Sequence, residues 1–271
     1  MKKILVDCYF FENEFQGSRT YIKNLYNKIF ELEKSKPESQ RKIYYLTTYF
    51  PEKLKSEFND YDFVKIVKHK FKNRYLRLLV EFPFIILKHK IDIAHFQYKA
   101  PPIKLCKYIL TIHDVLFIDN IQYTGIKYFL INFLSIGFSF YISDLVLTVS
   151  EYSKKQMINK FSKNKKIEII ENAVDEEFFS FEPLIQKSNF LLNNNLREYF
   201  IYLSRFEPRK NHYNLLSAYL EGEFYNHYDL VLIGHENLKC KKFDELYNSL
   251  DEALKARILL NKTGVSQSDL F

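Results

Sequence analysis

The stretch that decides the fold is Tyr199-Phe200-Ile201-Tyr202-Leu203-Ser204-Arg205-Phe206-Glu207-Pro208-Arg209-Lys210-Asn211-His212-Tyr213-Asn214-Leu215-Leu216-Ser217-Ala218-Tyr219-Leu220. Tyr199–Leu203 is an apolar run with the length of a buried strand. A short turn with three cations follows, Arg205, Arg209 and Lys210. Asn211 stands at an N-cap position ahead of Leu215, Leu216, Tyr219 and Leu220 at helical spacing. A strand that feeds a helix N-terminus through a basic turn suits an anion, because free amide N–H groups and the positive dipole end point the same way. Arg205 can grip one phosphate through two parallel hydrogen bonds, and Lys210 supplies a movable point charge for a second. Surface cations flanking an ordinary helix start have the same spacing, so the motif needs support from the rest of the chain.

Upstream, short apolar runs alternate with amphipathic stretches. The runs are Ile4–Val6, Ile43–Leu46, Phe63–Val67, Ile91–His95, Tyr108–Ile112, Leu145–Val149 and Ile167–Ile170. Between the first two, Tyr21, Leu25, Ile29 and Leu32 fall on one helical face. Strands that are apolar on both sides and separated by helices imply an α/β fold whose parallel sheet is covered on both faces. Ligands of such sheets bind beyond the C-terminal strand ends, where Gly17, His113 and Ser150 fall in this reading. Residues 176–198, with Pro183, Gln186, Lys187, Ser188 and Asn193-Asn194-Asn195, break the rhythm. The expected organisation is therefore an N-terminal domain over 1–175, a linker over 176–198 and a second unit over 199–271. The second unit repeats strand and helix at 199–203, 212–222, Leu230–Ile233, Phe243–Ala256 and Arg257–Leu260, with a further element starting at Ser266.

Composition limits the classes of function. At 271 residues and 47% hydrophobic, the chain has ample material for a core. The net charge of +7 fits phosphate-bearing substrates or anionic lipid headgroups, and a Lys-, Asn- and Ile-rich coding bias competes as its cause. Cys8, Cys106 and Cys240 are odd in number and far apart, which argues against a disulfide framework or a zinc site and fits a reducing cytosol. Met1-Lys2-Lys3 runs into Ile4-Leu5-Val6 and then Asp7, a first strand rather than a signal peptide. Tyr128–Ser143 is uncharged but interrupted by Asn132, Ser135, Gly137 and Ser139, and is shorter than the ~20 residues of a membrane span. It reads as a buried helix.

Five stretches, in order, resemble the motifs of glycosyltransferase family 4, retaining enzymes with two facing Rossmann-like domains (the GT-B fold). They are Gly17-Ser18-Arg19-Thr20-Tyr21, Thr111-Ile112-His113-Asp114, Thr148-Val149-Ser150-Glu151-Tyr152-Ser153, Glu171-Asn172-Ala173-Val174-Asp175, and the Arg205-to-Lys210 turn. The resemblance implies that Arg205 and Lys210, with Gly17, hold the diphosphate of a GDP- or UDP-linked sugar donor. It implies that His113 is the catalytic-site histidine beside the donor sugar, with Asp114, Ser150, Glu151 and Asn172 around the substrate cleft. No metal or other cofactor is expected. The family's Glu-x7-Glu motif, which holds donor sugar and ribose hydroxyls, has no counterpart after Lys210. Glu168 and Glu176 share its spacing but precede the linker. A C-terminally truncated enzyme is therefore expected, with apolar faces around Leu230–Ile233 and Phe243–Leu250 partly uncovered.

Each of these residues has a plainer reading. His113 can be satisfied at a strand end, Gly17 can be an ordinary turn glycine, and Ser150 and Glu151 can simply start a helix. G-x-G-x-x-G and the P-loop pattern are both absent, which removes nicotinamide and P-loop readings. Lys68, Lys70, Lys72, Arg74 and Arg77 interleave with Phe71, Tyr75, Leu76, Leu78 and Leu79. That pattern reads either as a basic amphipathic helix for peripheral membrane contact, with Lys70, Lys72, Arg74 and Arg77 on the lipid, or as a solvated helix face. No nucleic-acid recognition motif accompanies the charges. The expected activity is transfer of a sugar from a nucleotide-diphosphate donor to a glycan or lipid-linked acceptor, with retention, in the cytoplasm or at the inner membrane face. The alternative is a catalytically inert chain that binds a nucleotide sugar or a partner transferase.

Overall fold

The computed structural model describes residues 1–12, 17–58, 61–119, 121, 125–173 and 196–264. The chain folds as two compact units, Met1–Val174 and Asp175–Phe271. Most of the 176–198 segment and everything from Val265 onward, including Ser266, lie outside the described residues.

Unit 1 is built on seven strands: β1 (Lys3–Asp7), β2 (Ile43–Thr48), β3 (Val64–Lys68), β4 (Ile93–Gln97), β5 (Lys107–Thr111), β6 (Leu145–Thr148) and β7 (Ile167–Ile169). They pair in parallel in the order β3-β2-β1-β4-β5-β6-β7. Chain direction across the sheet reverses between β1 and β4, so the crevice beyond their C-terminal ends is the natural ligand position of a doubly wound sheet. Helices α1 (Gly17–Lys34) and α2 (Pro51–Lys55) cover one face, where Val6, Phe11, Tyr26, Phe30, Tyr44, Leu46 and Leu54 pack together. The other face carries α3 (Arg74–Leu76), a π-helical turn at Arg77–Glu81, α4 (Phe82–His89), α5 (Ile126–Ile142) and α6 (Glu151–Lys160). Phe82, Phe96, Tyr108, Leu110, Ile136, Phe140 and Met157 form the core there.

The structure departs from the sequence reading in several places. The buried side of α1 is Tyr21, Ile22, Tyr26 and Phe30, and Leu32 is 59% exposed. Helix α5 is not a buried helix. Ile136, Ser139 and Phe140 face the sheet, while Tyr128, Ile131, Leu134, Phe138 and Tyr141 are exposed. Among the described residues no helix is long and apolar enough to cross a membrane. The basic segment is not one helix either. Lys68 ends β3, Lys70 and Lys72 are in the following loop, and Asn73 caps the helix by accepting the N–H groups of Tyr75 and Leu76.

Unit 2 contains β8 (Tyr199–Leu203), α7 (His212–Glu221), β9 (Asp229–Ile233), α8 (Lys241–Asn248), α9 (Glu252–Lys255) and β10 (Ile258–Asn261). Its three strands are parallel in the order β10-β9-β8. The single helix expected over 243–256 is split, because Asp251 caps a second helix by accepting the Leu254 N–H at 2.8 Å. Burial also differs from expectation. Central β9 is buried throughout and Phe243 is 1% exposed, with Leu246 and Leu250 half-buried against the core, whereas edge strand β8 leaves Ile201 46% and Leu203 50% exposed. A strand paired on both sides and covered by helices loses contact with water first, and an edge strand last.

Candidate functional site

In unit 2, β8 delivers Ser204 and Arg205 to the sheet's C-terminal edge, where β9 delivers Gly234. The two backbones pass so closely that a Cβ on Gly234 would lie 2.0 Å from the Ser204 carbonyl oxygen, so only glycine fits. Phe206 N–H donates to His235 O at 2.9 Å and continues the pairing past the strands. Glu207 is 5% exposed and holds both neighbouring arginines: Arg205 Nε at 3.2 Å on one oxygen and Arg209 Nε at 2.6 Å on the other. Lys210 is placed by its carbonyl, which accepts the Tyr202 hydroxyl at 2.9 Å. Asn211 is not the expected side-chain cap. It adopts a left-handed backbone (φ +57°) and its side chain makes no cap hydrogen bond, so among the described residues no side chain occupies the first-turn N–H groups of α7. Arg205, Lys210 and an open helix N-terminus therefore share one turn, an arrangement that can hold a polyanion. The buried His212 ring stacks on Phe206 at 4.1 Å and fixes the floor of that turn.

In unit 1, His113 follows β5. Its Nε2 contacts Gln97 Oε1 at 3.0 Å, and its ring meets Tyr21 edge-on at 4.9 Å and Tyr98 at 5.7 Å. With Nε2–H donating to the Gln97 oxygen, Nδ1 remains the acceptor side of the ring. Burial pushes His113 down to about 4, so the imidazole is neutral at physiological pH. Asp114 does not pair with it; its carboxylate accepts the Leu116 N–H at 3.2 Å in a local turn. Ser150 Oγ caps α6 by accepting Ser153 N–H at 3.2 Å, and Ser153 Oγ–H donates to the His113 carbonyl at 2.9 Å. Ser150 thus acts on His113 through the helix start, and Glu151 is an exposed first-turn residue.

Gly17 and Asn172 come together on one groove of about 470 Å³, with Thr20, Tyr21, Asn24 and Glu171. A Cβ on Gly17 would meet nothing within 4 Å and its φ is not positive, so its own backbone does not require glycine. Arg77 is not a membrane contact. It is 1% exposed, because the π-helical turn rotates it inward over the Tyr9 ring at 4.2 Å. Arg74 likewise turns in over Tyr9 at 5.4 Å, while Lys70 and Lys72 remain exposed. Among the described residues no three His, Cys, Asp or Glu side chains converge as a metal site would need. Sequence reasoning missed Glu207, Gln97, Tyr98 and Ser153. Glu207 and Ser153 stood inside quoted motifs, whereas Gln97 and Tyr98 are marked only by the strand end before Ala100-Pro101-Pro102.

Residues 40–178, just over half of the chain, match the sequence profile of Glycosyltransferase Family 4. The chain belongs to glycosyltransferase family 4. Solved structures agree on the fold. All of this chain aligns with 72% of sucrose-phosphate synthase from Thermosynechococcus elongatus, at 14% identity and a TM-score of 0.67. All of it aligns with 71% of Alr3699/HepE from Anabaena, solved with UDP and glucose, at 13% identity and a TM-score of 0.65. A UDP-N-acetylglucosamine 2-epimerase from Rickettsia bellii is also similar, with 100% of this chain on 71% of that one, 15% identity and a TM-score of 0.55. No curated protein sequence matches this one. At such identities the likeness is one of fold, and transferases and epimerases share it, so the family assignment rather than the architecture carries the chemistry.

Proposed function

We propose that this family 4 protein transfers a sugar from a UDP- or GDP-linked donor to a glycan or lipid-linked acceptor, with retention at the anomeric carbon. The observation that carries this reading is the Arg205–Glu207–Lys210 turn at the uncapped start of α7. In the reaction the anomeric C–O bond to the diphosphate breaks, the acceptor oxygen bonds that carbon, and the acceptor's proton leaves with the diphosphate. The nascent negative charge on the diphosphate needs stabilisation, and two cations with a helix dipole provide it without requiring a metal. Glu207 keeps Arg205 in place before the donor arrives, which lowers the cost of ordering a long side chain. His113, neutral and oriented by Gln97, is the group offered to the sugar hydroxyls. Such a transferase fits cell-surface polysaccharide assembly on the cytoplasmic side of a membrane.

Calorimetry with UDP and GDP tests the site. Arg205→Ala removes a charge-assisted bidentate contact, with an expected loss of about 1.5–3 kcal/mol in nucleotide affinity. Equal binding by wild type and variant would remove the diphosphate from this turn. Donor turnover measured on the same preparation decides between a transferase and a non-catalytic sugar-nucleotide binder.

A further inference from the structure

The segment 76–87 of unit 1 is apolar on two sides. Leu78, Phe82, Ile85 and Ile86 are buried against the sheet. On the outside, Leu76, Val80, Phe84 and Leu87 recur every three or four residues and are exposed, where a helix facing only water would carry polar side chains. Beside this stripe, residues of edge strand β3, the loop after it and α4 line a groove of about 290 Å³. Its lining sets apolar Val67, Phe71, Val80 and Phe84 next to the exposed Lys68, Lys70 and Lys88. Among the described residues the one acidic side chain of that lining is Glu81, which is 5% exposed and accepts the N–H groups of Lys70 and Phe71. The three ammonium groups therefore have no carboxylate partner among the described residues. Lys88 Nζ stands over the Phe84 ring at 5.8 Å instead, so charge and apolar wall are adjacent.

Three cations beside an apolar groove match a ligand with an anionic end and an apolar body. A free phosphate would leave Phe71, Val80 and Phe84 in water, and a neutral or zwitterionic chain would leave the lysines without a counter-charge. A peptide helix, about 10–12 Å across, could place only single side chains in a groove of this volume. A hydrocarbon chain that ends in a phosphate satisfies both parts, and the exposed stripe suits the bilayer from which such a chain would come. We propose that this groove binds one acyl chain of an anionic membrane phospholipid. Lys68, Lys70 and Lys88 surround its phosphate, and Leu76, Val80 and Leu87 lie in the adjoining bilayer interface. The lipid site stands apart from the sugar-transfer reading, because none of its residues belongs to the Arg205–Lys210 turn or touches His113.

The test is calorimetric titration of lauroyl lysophosphatidylglycerol, kept below its micelle concentration, into the full chain. Wild type should bind one molecule saturably, at least about tenfold tighter than lauroyl lysophosphatidylcholine, which carries the same chain. Val80→Glu places an acid at an exposed position of the groove wall and should weaken binding at least about tenfold, as should Lys70→Gln combined with Lys88→Gln. Lys155→Gln combined with Lys160→Gln removes the same charge from exposed positions on α6 and should change little. Leu134→Gln with Phe138→Gln should also leave the affinity unchanged, since α5 does not line the groove. Melting curves establish that each variant is folded. The sequence has no tryptophan, so Phe84→Trp gives a single reporter in the groove, and its emission should shift to the blue when the lysolipid binds. Absence of saturable binding, equal binding of the two lysolipids, an equal loss from the α6 lysines, or an unmoved Trp emission would overturn the proposal. Binding of an acidic peptide such as polyglutamate in place of the lysolipid would assign the lysines to a protein partner and overturn it as well.

Discussion

At the scale of single residues, the buried His69 and His95 and the half-buried His113 make unit 1 sensitive to acid. His95 lies between the Tyr26 hydroxyl on Nδ1 and Thr111 Oγ1 on Nε2, each at 2.7 Å, and burial with His113 nearby pushes it down to about 4. His69 falls to about 3 through burial and Arg77, and His113 to about 4 through burial. Each folded-state value is below the ordinary 6.5, so the unfolded chain binds more protons between pH 6.5 and about 4. The stabilisation is complete above 6.5 and is lost as pH falls through that window, up to about 3 kcal/mol for His95 alone. Urea midpoints measured across this range should drop with pH, and His95→Gln should drop less steeply. Parallel slopes for variant and wild type would show that His95 titrates normally.

At the scale of elements, the Arg205–Lys210 turn depends on the β8–β9 junction. Gly234→Ala places a methyl 2.0 Å from the Ser204 carbonyl oxygen and 2.5 Å from its carbon, both backbone atoms that cannot swing aside. The strand ends must separate, with an expected cost of about 1–3 kcal/mol or more and displacement of Arg205. The variant should therefore melt earlier and also bind UDP more weakly, seen by calorimetry well below its melting temperature. Unchanged affinity would mean that Arg205 is placed by Glu207 alone. The π-helical turn at Arg77–Glu81 has a comparable role in unit 1. It buries Arg77 and turns Glu81 toward the Lys70 and Phe71 N–H groups, which ties the preceding loop to the helix.

At the scale of the whole molecule, unit 1 has unequal outer surfaces. Helices α4 and α5 pack on the same face of the sheet through Phe82, Ile85, Ile136 and Phe140. Outward they expose Phe84, Leu87, Leu134, Phe138 and Tyr141, with the exposed Lys68, Lys70, Lys72, Lys88 and Lys127 near them in sequence. Apolar residues rimmed by lysines suit the interface of an anionic bilayer. Flotation with phosphatidylglycerol-containing vesicles should recover the protein, less so at high salt, and Leu134→Glu with Phe138→Glu should reduce recovery several-fold. Recovery that is indifferent to both substitutions would clear α5 of any membrane role.

The sequence by itself determined the ten strands of the described residues, the parallel class of the sheets and the motif residues near their ends. Strand runs such as Tyr108–Ile112 and Leu230–Ile233 are short and mostly apolar with polar residues around them, a pattern that can be read without knowing what packs against it. His113, Ser150 and Arg205 could be placed for the same reason, because they follow such runs closely. Only the tertiary structure decided direction and burial. The π-helical turn swung Arg77 inward from a segment that reads as a basic surface, and the sheet selected Ile136 and Phe140 from a helix apolar on every side. Likewise Lys99 reads as an ordinary surface lysine until the fold around the turn at Tyr98 buries it. Local periodicity records what each residue prefers, whereas the direction a long cationic or apolar side chain takes depends on neighbours distant in the chain.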